Sequence, residues 1–179
     1  MESKPRRLST SELGHIGIFT AVIAVMAQLT IPLPPVPLTM QTFAVPLAGA
    51  VLGAKKGSIA AIIYLILGAV GAPVFSGFTG GYSFIIGPSG GYLLSYPLFA
   101  FIVGLGSYKN NRIWLALGLV IGSIINLSMG MFQLAFVLQI DMRAAFALGV
   151  FPFIVPELIK LSLVFVIAPK IRQAIERNK

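Results

Sequence analysis

Residues 113–138 read IWLALGLVIGSIINLSMGMFQLAFVL without one charged side chain, and this run indicates the class of protein. A helix needs about 20 apolar residues to cross the hydrocarbon core of a bilayer, so the run is long enough for one crossing. Further apolar runs cover approximately residues 16–31, 38–53, 57–71, 88–106 and 145–168. The sequence therefore predicts an all-α integral membrane protein with six transmembrane helices.

The composition supports this prediction. Of the 179 residues, 57% are apolar and 10% are charged, whereas about 25% charged residues is usual for a soluble domain. These few polar side chains cannot cover a soluble surface, which excludes a cytosolic enzyme, a secreted domain and a disordered tail. The length allows about six or seven spans and no further soluble domain. We expect residues 1–179 to form a single transmembrane domain with a short basic segment at 1–14 and a basic tail at 169–179.

The charge distribution indicates how the helices are oriented. The chain has 13 Lys and Arg against 5 Asp and Glu, a net charge of +8, and short loops rich in Lys and Arg stay in the cytoplasm. Six crossings that start inside place four basic clusters in the cytoplasm and only Arg143 in the outer loops. We therefore expect both termini to be cytoplasmic. The clusters are Lys4, Arg6 and Arg7; Lys55 and Lys56; Lys109 and Arg112; and Lys170, Arg172, Arg177 and Lys179.

Two opposite charges, Glu157 and Lys160, lie inside the sixth run. A spacing of three residues places both side chains on one face of a helix. Each charge within a span costs about 2.5–3.5 kcal/mol, so such residues face a cavity or a partner and are functional candidates. The alternative is a mutually neutralising pair that only holds helices together.

A segment rich in glycine and aromatic residues covers 68–82 and continues at 87–92. Its glycine content is too high for a stable helix, and the orientation above places it outside. Glycines permit close approach of the backbone to a ligand, and rings can cover that ligand, so the segment could close over a small molecule. The alternative is a loose outer connector.

The first apolar run carries small residues in two small-xxx-small pairs, Gly17 with Ala21 and Thr20 with Ala24. Small residues let helix backbones approach closely in lipid, either within this bundle or against a partner subunit. The run also resembles a signal peptide, because the residues at 25–27 are similar to a cleavage site. Retaining it as a span is favoured, since it completes an even number of crossings.

Residues that could support catalysis are few. His15 is the only histidine and lies at the membrane border beside Glu12. Lys160 could act in a Ser–Lys arrangement, but no serine motif accompanies it. Asp141 and Glu157 are too few for a metal site, and the chain contains no cysteine and no Walker sequence. We expect no enzyme activity, metal or cofactor in this chain.

Five segments together carry a resemblance to a known family. They are LTMQTFA at 38–44, LGAKKG at 52–57, YLILGAVGAPVF at 64–75, GPSGGYL at 87–93 and PELIK at 156–160. The sequence resembles the BioY family, the biotin-specific substrate-binding component of energy-coupling-factor vitamin transporters. The family often has Thr where Ser89 stands and Asp where Glu157 stands. Its Ala-xxx-Ala motif on the first helix is matched only by Thr20 and Ala24.

The resemblance implies a vitamin-capturing subunit of six helices in the cell membrane of a prokaryote, with its site open to the outside. A separate membrane coupling protein and two ATPases would supply the energy, and the capturing subunit would topple in the membrane to release biotin inward. Small residues on the first helix would contact the coupling protein. We therefore expect Gly17, Thr20, Ala21 and Ala24 to form that contact.

Biotin has a ureido group with two N–H donors and one oxygen acceptor, an apolar thiophane ring and a valerate chain. We expect Glu157 to accept from a ureido N–H and Lys160 to donate to the ureido oxygen or to the carboxylate. Other residues would cover the ring, close over it or point inward from spans two and five. They are Phe75, Tyr82 and Tyr92; Gly77, Thr79, Gly80 and Gly81; and Gln41 and Asn126.

Three alternatives to a biotin-binding subunit stay open at this stage. The same scaffold could carry another vitamin, since a fold does not fix its ligand. The chain could be an intramembrane enzyme that uses Lys160, or an assembly subunit whose charged pair binds another subunit. The expected partners are biotin, the coupling protein, the ATPases and lipid, but no nucleic acid.

Overall fold

The computed structural model describes residues 9–108 and 111–177. The predicted helical class is confirmed, with one short hairpin as its only addition in the described ranges. Lys4, Arg6, Arg7, Lys109 and Lys179 lie outside the described residues. The elements are α1 (Thr10–Gln28), β1 (Thr30–Ile31), β2 (Leu38–Thr39), α2 (Gln41–Leu52), α3 (Ala54–Ala69), α4 (Tyr82–Ile86), α5 (Gly90–Tyr108), α6 (Arg112–Leu138), α7 (Met142–Gly149), a 3₁₀ turn (Phe151–Phe153) and α8 (Ile154–Arg177).

Four helical segments of the described chain are long and apolar enough to cross a membrane. They are α1, α5, α6 and the segment Met142–Ile175, which includes α7, the 3₁₀ turn and most of α8. Helices α2 and α3 have 12 and 16 residues and are shorter. These two helices meet at Gly53, whose positive φ of 84° favours glycine.

Residues 32–37, which lie between the first two apolar runs, are not helical, but the sequence did not reveal the hairpin around them. Thr30 pairs with Thr39 and Ile31 with Leu38 in an antiparallel ladder. Strands of two residues are too short to show an alternating pattern. We call the end of the bundle formed by residues 29–40 and 70–89 the hairpin end, and the opposite end, with Lys55, Lys56 and the start of α6, the basic end.

Two predicted boundaries differ from the structure. The run at 145–168 is interrupted, since α7 ends at Gly149 and the chain turns at Pro152 before α8 begins. The flanking segments are partly helical: Ser9 and Glu12 form a capping box that starts α1, and α8 continues through Pro169 to Arg177. The basic residues at 170–177 therefore extend the last helix.

Close approach of backbones holds the centre of the bundle together. Nearly every residue of α2 is buried. A Cβ at Gly49 would lie 2.1 Å from the carbonyl oxygen of Ala100 in α5, and a Cβ at Gly57 would lie 2.6 Å from the Cα of Gly49. Helices α2, α3 and α5 can pack at these distances only because their contact residues are small.

We expect Gly49→Ala to destabilise the protein by about 1–3 kcal/mol, because the added methyl group overpacks the contact with Ala100. Gly14→Ala is the matched control, since a Cβ at Gly14 has nothing within 4 Å and alanine favours a helix by about 1 kcal/mol over glycine. Thermal unfolding in detergent measures both variants. Equal melting temperatures for the two would contradict the close packing of α2 and α5.

Candidate functional site

A cavity lies at the hairpin end, among α2, α5, α6 and α8. Its volume of about 40 Å³ has room for a few water molecules. The hairpin and the segment 76–89 form its roof. The lining consists of Val36, Pro37, Thr39, Gln41, Thr42, Ser76, Phe84, Ser89, Tyr92, Leu93, Tyr96, Asn126, Leu127, Phe153, Glu157 and Lys160.

The charged pair forms one wall of this cavity. Lys160 Nζ lies 2.9 Å from Glu157 Oε2, and both side chains are about 95% buried, with 6% and 5% exposed. Lys160 also donates to the carbonyl oxygen of Thr39, at 3.3 Å, and to Thr42 Oγ1. All three N–H groups of the ammonium therefore have acceptors, and the pair joins α8 to the start of α2.

The two carboxylate oxygens of Glu157 differ in their partners. Oε2 accepts from Lys160 and from Thr42 Oγ1, the latter at 2.7 Å. Oε1 accepts from Ser123 Oγ of α6 at 3.2 Å. A carboxylate oxygen can accept two hydrogen bonds, so Oε1 retains capacity for one more donor.

A second acceptor in the cavity wall belongs to Asn126, which is fully buried in α6. Its Nδ2 donates to the carbonyl oxygen of Tyr92 at 3.0 Å and to Ser95 Oγ at 2.6 Å. Its Oδ1 has no hydrogen-bond donor among the described residues. Buried polar atoms are normally paired, so this oxygen is an unsatisfied acceptor in a residue that lines the cavity.

Gln41 lines the cavity, but its amide is already engaged. Its Oε1 accepts from Thr39 Oγ1 at 2.9 Å and from Tyr96 OH at 3.1 Å. Its Nε2 donates to Tyr64 OH, which donates to the carbonyl oxygen of Val74 at 3.2 Å. Gln41 therefore connects the wall of the cavity to the glycine-rich segment.

The glycine-rich segment contributes to the roof through side chains other than those expected. Phe75 is fully buried in the core, where its ring packs against Tyr64 and Phe84 at 5.6 and 5.4 Å. Tyr82 is 67% exposed and does not line the cavity. Ser76 and Phe84 line it instead.

The four residues expected to close over the ligand, Gly77, Thr79, Gly80 and Gly81, also lie off the cavity. They form a turn in which the Phe75 N–H donates to the carbonyl oxygen of Thr79 at 2.9 Å. This turn holds the residues on either side of it in position. In this structure Ser76 and Phe84, rather than these four residues, therefore lie at the cavity.

The structure brings five of the expected residues to the cavity and adds several that sequence reasoning missed. Gln41, Tyr92, Asn126, Glu157 and Lys160 all line it. The missed residues with polar side chains are Thr39, Thr42, Ser76, Ser89 and Tyr96. A signal was present for the first two, because three polar residues within 39–42 interrupt an apolar run.

The small residues of α1 do not share one face. Thr20 is buried, and its Oγ1 donates to the carbonyl oxygens of Ile16 and, across to α3, of Ala60 at 2.9 and 3.2 Å. Gly17 and Ala21 are exposed, and Ala24 is half-buried. Thr20 therefore packs inside the bundle, whereas Gly17 and Ala21 line an outward groove.

Comparison with known proteins gives consistent results. A family model described as the BioY family matches residues 1–177. The probable biotin transporter BioY of Pyrococcus horikoshii is 42% identical over 165 residues, which are 92% of this chain and 98% of that protein. The biotin transporter BioY of Thermotoga maritima is 43% identical over 163 residues, 90% and 96% of the two chains. The crystal structure of an S-component for biotin from an ECF-type ABC transporter matches with a TM-score of 0.85 at 29% identity, covering 93% and 95%.

The buried pair predicts an asymmetry between single and double substitutions. Lys160→Met leaves the Glu157 carboxylate buried without its cation, which should destabilise the protein by about 3–5 kcal/mol. Adding Glu157→Gln to this variant removes the stranded charge and should restore most of that loss. Thermal unfolding in detergent measures the effect, with Lys55→Met as the control at an exposed lysine. A double variant no more stable than Lys160→Met would contradict the coupling.

Proposed function

Because the chain belongs to the BioY family, we propose that it is the biotin-binding S component of an energy-coupling-factor transporter and that it takes up biotin. The observation that carries this conclusion is the family match over residues 1–177, supported by the likeness to a solved biotin S-component. The chain is a transporter subunit in a membrane and not an enzyme.

The acceptors of the cavity suit the ureido group of biotin. Its two N–H donors require two acceptors on the same side of the site. Asn126 Oδ1, which has no donor within the described ranges, and Glu157 Oε1, which has one, provide them. Hydrogen bonds to a charged acceptor are about twice as strong as neutral ones, so Glu157 contributes most to ureido binding.

Lys160 provides the complementary donor. In this structure its N–H groups contact three protein acceptors, of which the carbonyl oxygen of Thr39 is the most distant, at 3.3 Å. When an oxygen of biotin, from either the ureido group or the carboxylate, replaces the carbonyl oxygen of Thr39, the ammonium stays fully hydrogen-bonded. The side chain therefore changes one partner during binding and remains paired with Glu157 throughout.

The aromatic and aliphatic lining residues, which include Tyr92, Leu127 and Phe153, provide an apolar surface for the thiophane ring. Tyr92 packs on Phe153 with ring centroids 6.3 Å apart, and its hydroxyl donates to the carbonyl oxygen of Gly149 at 2.6 Å. A bicyclic ligand is larger than the 40 Å³ cavity, so the roof moves when biotin binds. In this proposal Phe75, Tyr82 and the turn at 77–81 position the roof rather than touch the ring.

We further propose six crossings within a single domain, with both termini in the cytoplasm of a prokaryotic cell and the cavity open to the outside. Helices α2 and α3 are about 18 and 24 Å long at 1.5 Å per residue, so the hairpin and the 70–89 segment complete their passage. Irregular backbone is tolerated at membrane depth where protein buries it or it lines a cavity. Lys55, Lys56 and Arg112 at the basic end support this orientation.

A membrane coupling protein and two ATPases complete the transporter in this proposal, and toppling of the subunit delivers biotin inward. The outward groove of α1 is the contact that we assign to the coupling protein. Gly17 and Ala21 line it, and a Cβ at Gly17 would have nothing within 4 Å. Ala24 lies at its edge, whereas Thr20 supports the groove from inside the bundle.

We expect Glu157→Gln and Asn126→Ala each to weaken biotin binding by about tenfold to a hundredfold, because the first removes the negative charge of an acceptor and the second removes an acceptor for a ureido N–H. Titration calorimetry of the detergent-solubilised protein measures the affinity, with thiamine and riboflavin as control ligands. Asp141→Asn is the matched carboxylate-to-amide control, since asparagine also caps a helix and Asp141 lies at the start of α7.

Two different negative results would test the position of the ureido group and the function itself. Unchanged biotin affinity in both variants would contradict the placement of the ureido group. Absence of biotin binding by the unmodified protein would contradict the function itself.

We expect Ala21→Trp to reduce biotin uptake by cells that contain the coupling protein and ATPases by at least about tenfold, because a large ring prevents close helix packing. Binding of biotin to the purified variant should stay unchanged. Ile124→Trp, on an exposed position of α6, is the control. Equal uptake by the two tryptophan variants would exclude the α1 groove as the contact.

A further inference from the structure

A second pocket lies at the basic end, separate from the cavity that we assign to biotin. It is formed by the last turn of α5, the start of α6 and the final turns of α8, and its volume is about 390 Å³. Three cations line it, Arg112, Lys170 and Arg172, together with the polar side chains of Ser107, Asn111 and Gln173. The proposed function leaves this pocket unexplained.

No carboxylate is among the lining residues that the structure describes. The carboxylates whose side chains the structure describes are used elsewhere. Glu12 lies 2.7 Å from Lys56, Glu157 pairs with Lys160, and Asp141 caps α7. The N-terminus of α6 adds the positive end of a helix of 27 residues at Arg112.

The cations are also held in position. Arg172 donates from Nη1 to the carbonyl oxygen and to the Oγ of Ser107 at 2.6 and 2.7 Å. The guanidinium carbon of Arg112 lies 5.6 Å from the centre of the Phe165 ring, a cation–π distance. Lys170 is exposed at the rim. The pocket therefore presents a hydrogen-bonded arginine, a stacked arginine and an exposed lysine around one space.

The surface beside the pocket is that of a membrane boundary. Trp114, half exposed, follows Arg112 by two residues, and tryptophan is enriched where hydrocarbon meets headgroups. Ile113 and Val166 are exposed on the same helices. A lipid could place its phosphate in the basic pocket and its acyl chains along these apolar side chains, so it would match both the charged and the apolar surface.

We propose that this pocket binds the phosphate of an anionic phospholipid headgroup. Basic pockets between transmembrane helices on the cytoplasmic side are suited to such headgroups. Arg112 and Lys170 contact the phosphate, Asn111 and Gln173 supply neutral hydrogen bonds, and Arg172 orders the wall through Ser107. The proposal does not depend on biotin binding, and it places a lipid site where α5, α6 and α8 converge.

The test compares two double variants with the same loss of charge. Arg112→Gln with Lys170→Gln removes two cations from the pocket, and Lys55→Gln with Arg143→Gln removes two elsewhere. Native mass spectrometry measures binding of phosphatidylglycerol to the full chain, with phosphatidylcholine and inorganic phosphate as comparison probes. Biotin affinity reports whether each variant is folded.

We expect phosphatidylglycerol to bind about thirtyfold more weakly to the pocket variant, since each removed charge near an anionic lipid costs about fivefold, and equally well to the control. Lys170→Gln alone changes an exposed side chain and should weaken phosphatidylglycerol binding about fivefold. This single variant replaces the double variant in the test if the double variant does not fold. Equal losses in pocket and control variants would overturn the proposal. Displacement of phosphatidylglycerol by millimolar inorganic phosphate would overturn the assignment to a lipid and would indicate a site for a free anion.

Discussion

The buried contact between Glu157 and Lys160 is the constraint on which the arrangement of the hairpin end depends. A charge inside a membrane helix requires a partner, and the lysine reaches beyond its own helix to Thr39 and Thr42. The carboxylate in turn accepts from Ser123 of α6. One ion pair thus fixes α8 against α2 and α6, and the cavity is the space that these three helices enclose with α5.

Within the described part of the chain, the pair keeps hydrogen-bonding capacity at one atom, Glu157 Oε1. Lys160 has three acceptors for its three N–H groups, and Glu157 Oε2 has two donors. Glu157 Oε1 and the neighbouring Asn126 Oδ1 keep free acceptor capacity. The buried charges are therefore paired, while these two oxygens keep capacity for the N–H donors of the ligand that we propose.

Sequence reasoning identified the residues whose chemistry is unusual for their surroundings. A charge or an amide within an apolar run is costly unless it is paired, so Glu157, Lys160 and Asn126 could be predicted to face inward. Aromatic residues in a glycine-rich segment carry no such signal, because an aromatic side chain can be buried either in the core or in the roof of a site. The structure places Phe75 in the core. This position depends on the packing of α3 and α4 around its ring, which the sequence does not show.

The helices at the basic end and the roof at the hairpin end are held by different kinds of contact. At the basic end, side chains connect helices directly: Glu12 pairs with Lys56 across α1 and α3, and Arg172 of α8 binds Ser107 of α5. At the hairpin end, Gln28 of α1 holds the glycine-rich segment through backbone groups of residues 74–78. Neutral hydrogen bonds to a loop exchange with water at little cost, whereas movement at the basic end would displace charged contacts between helices. We therefore expect the roof, rather than the helices, to move when a ligand enters the cavity.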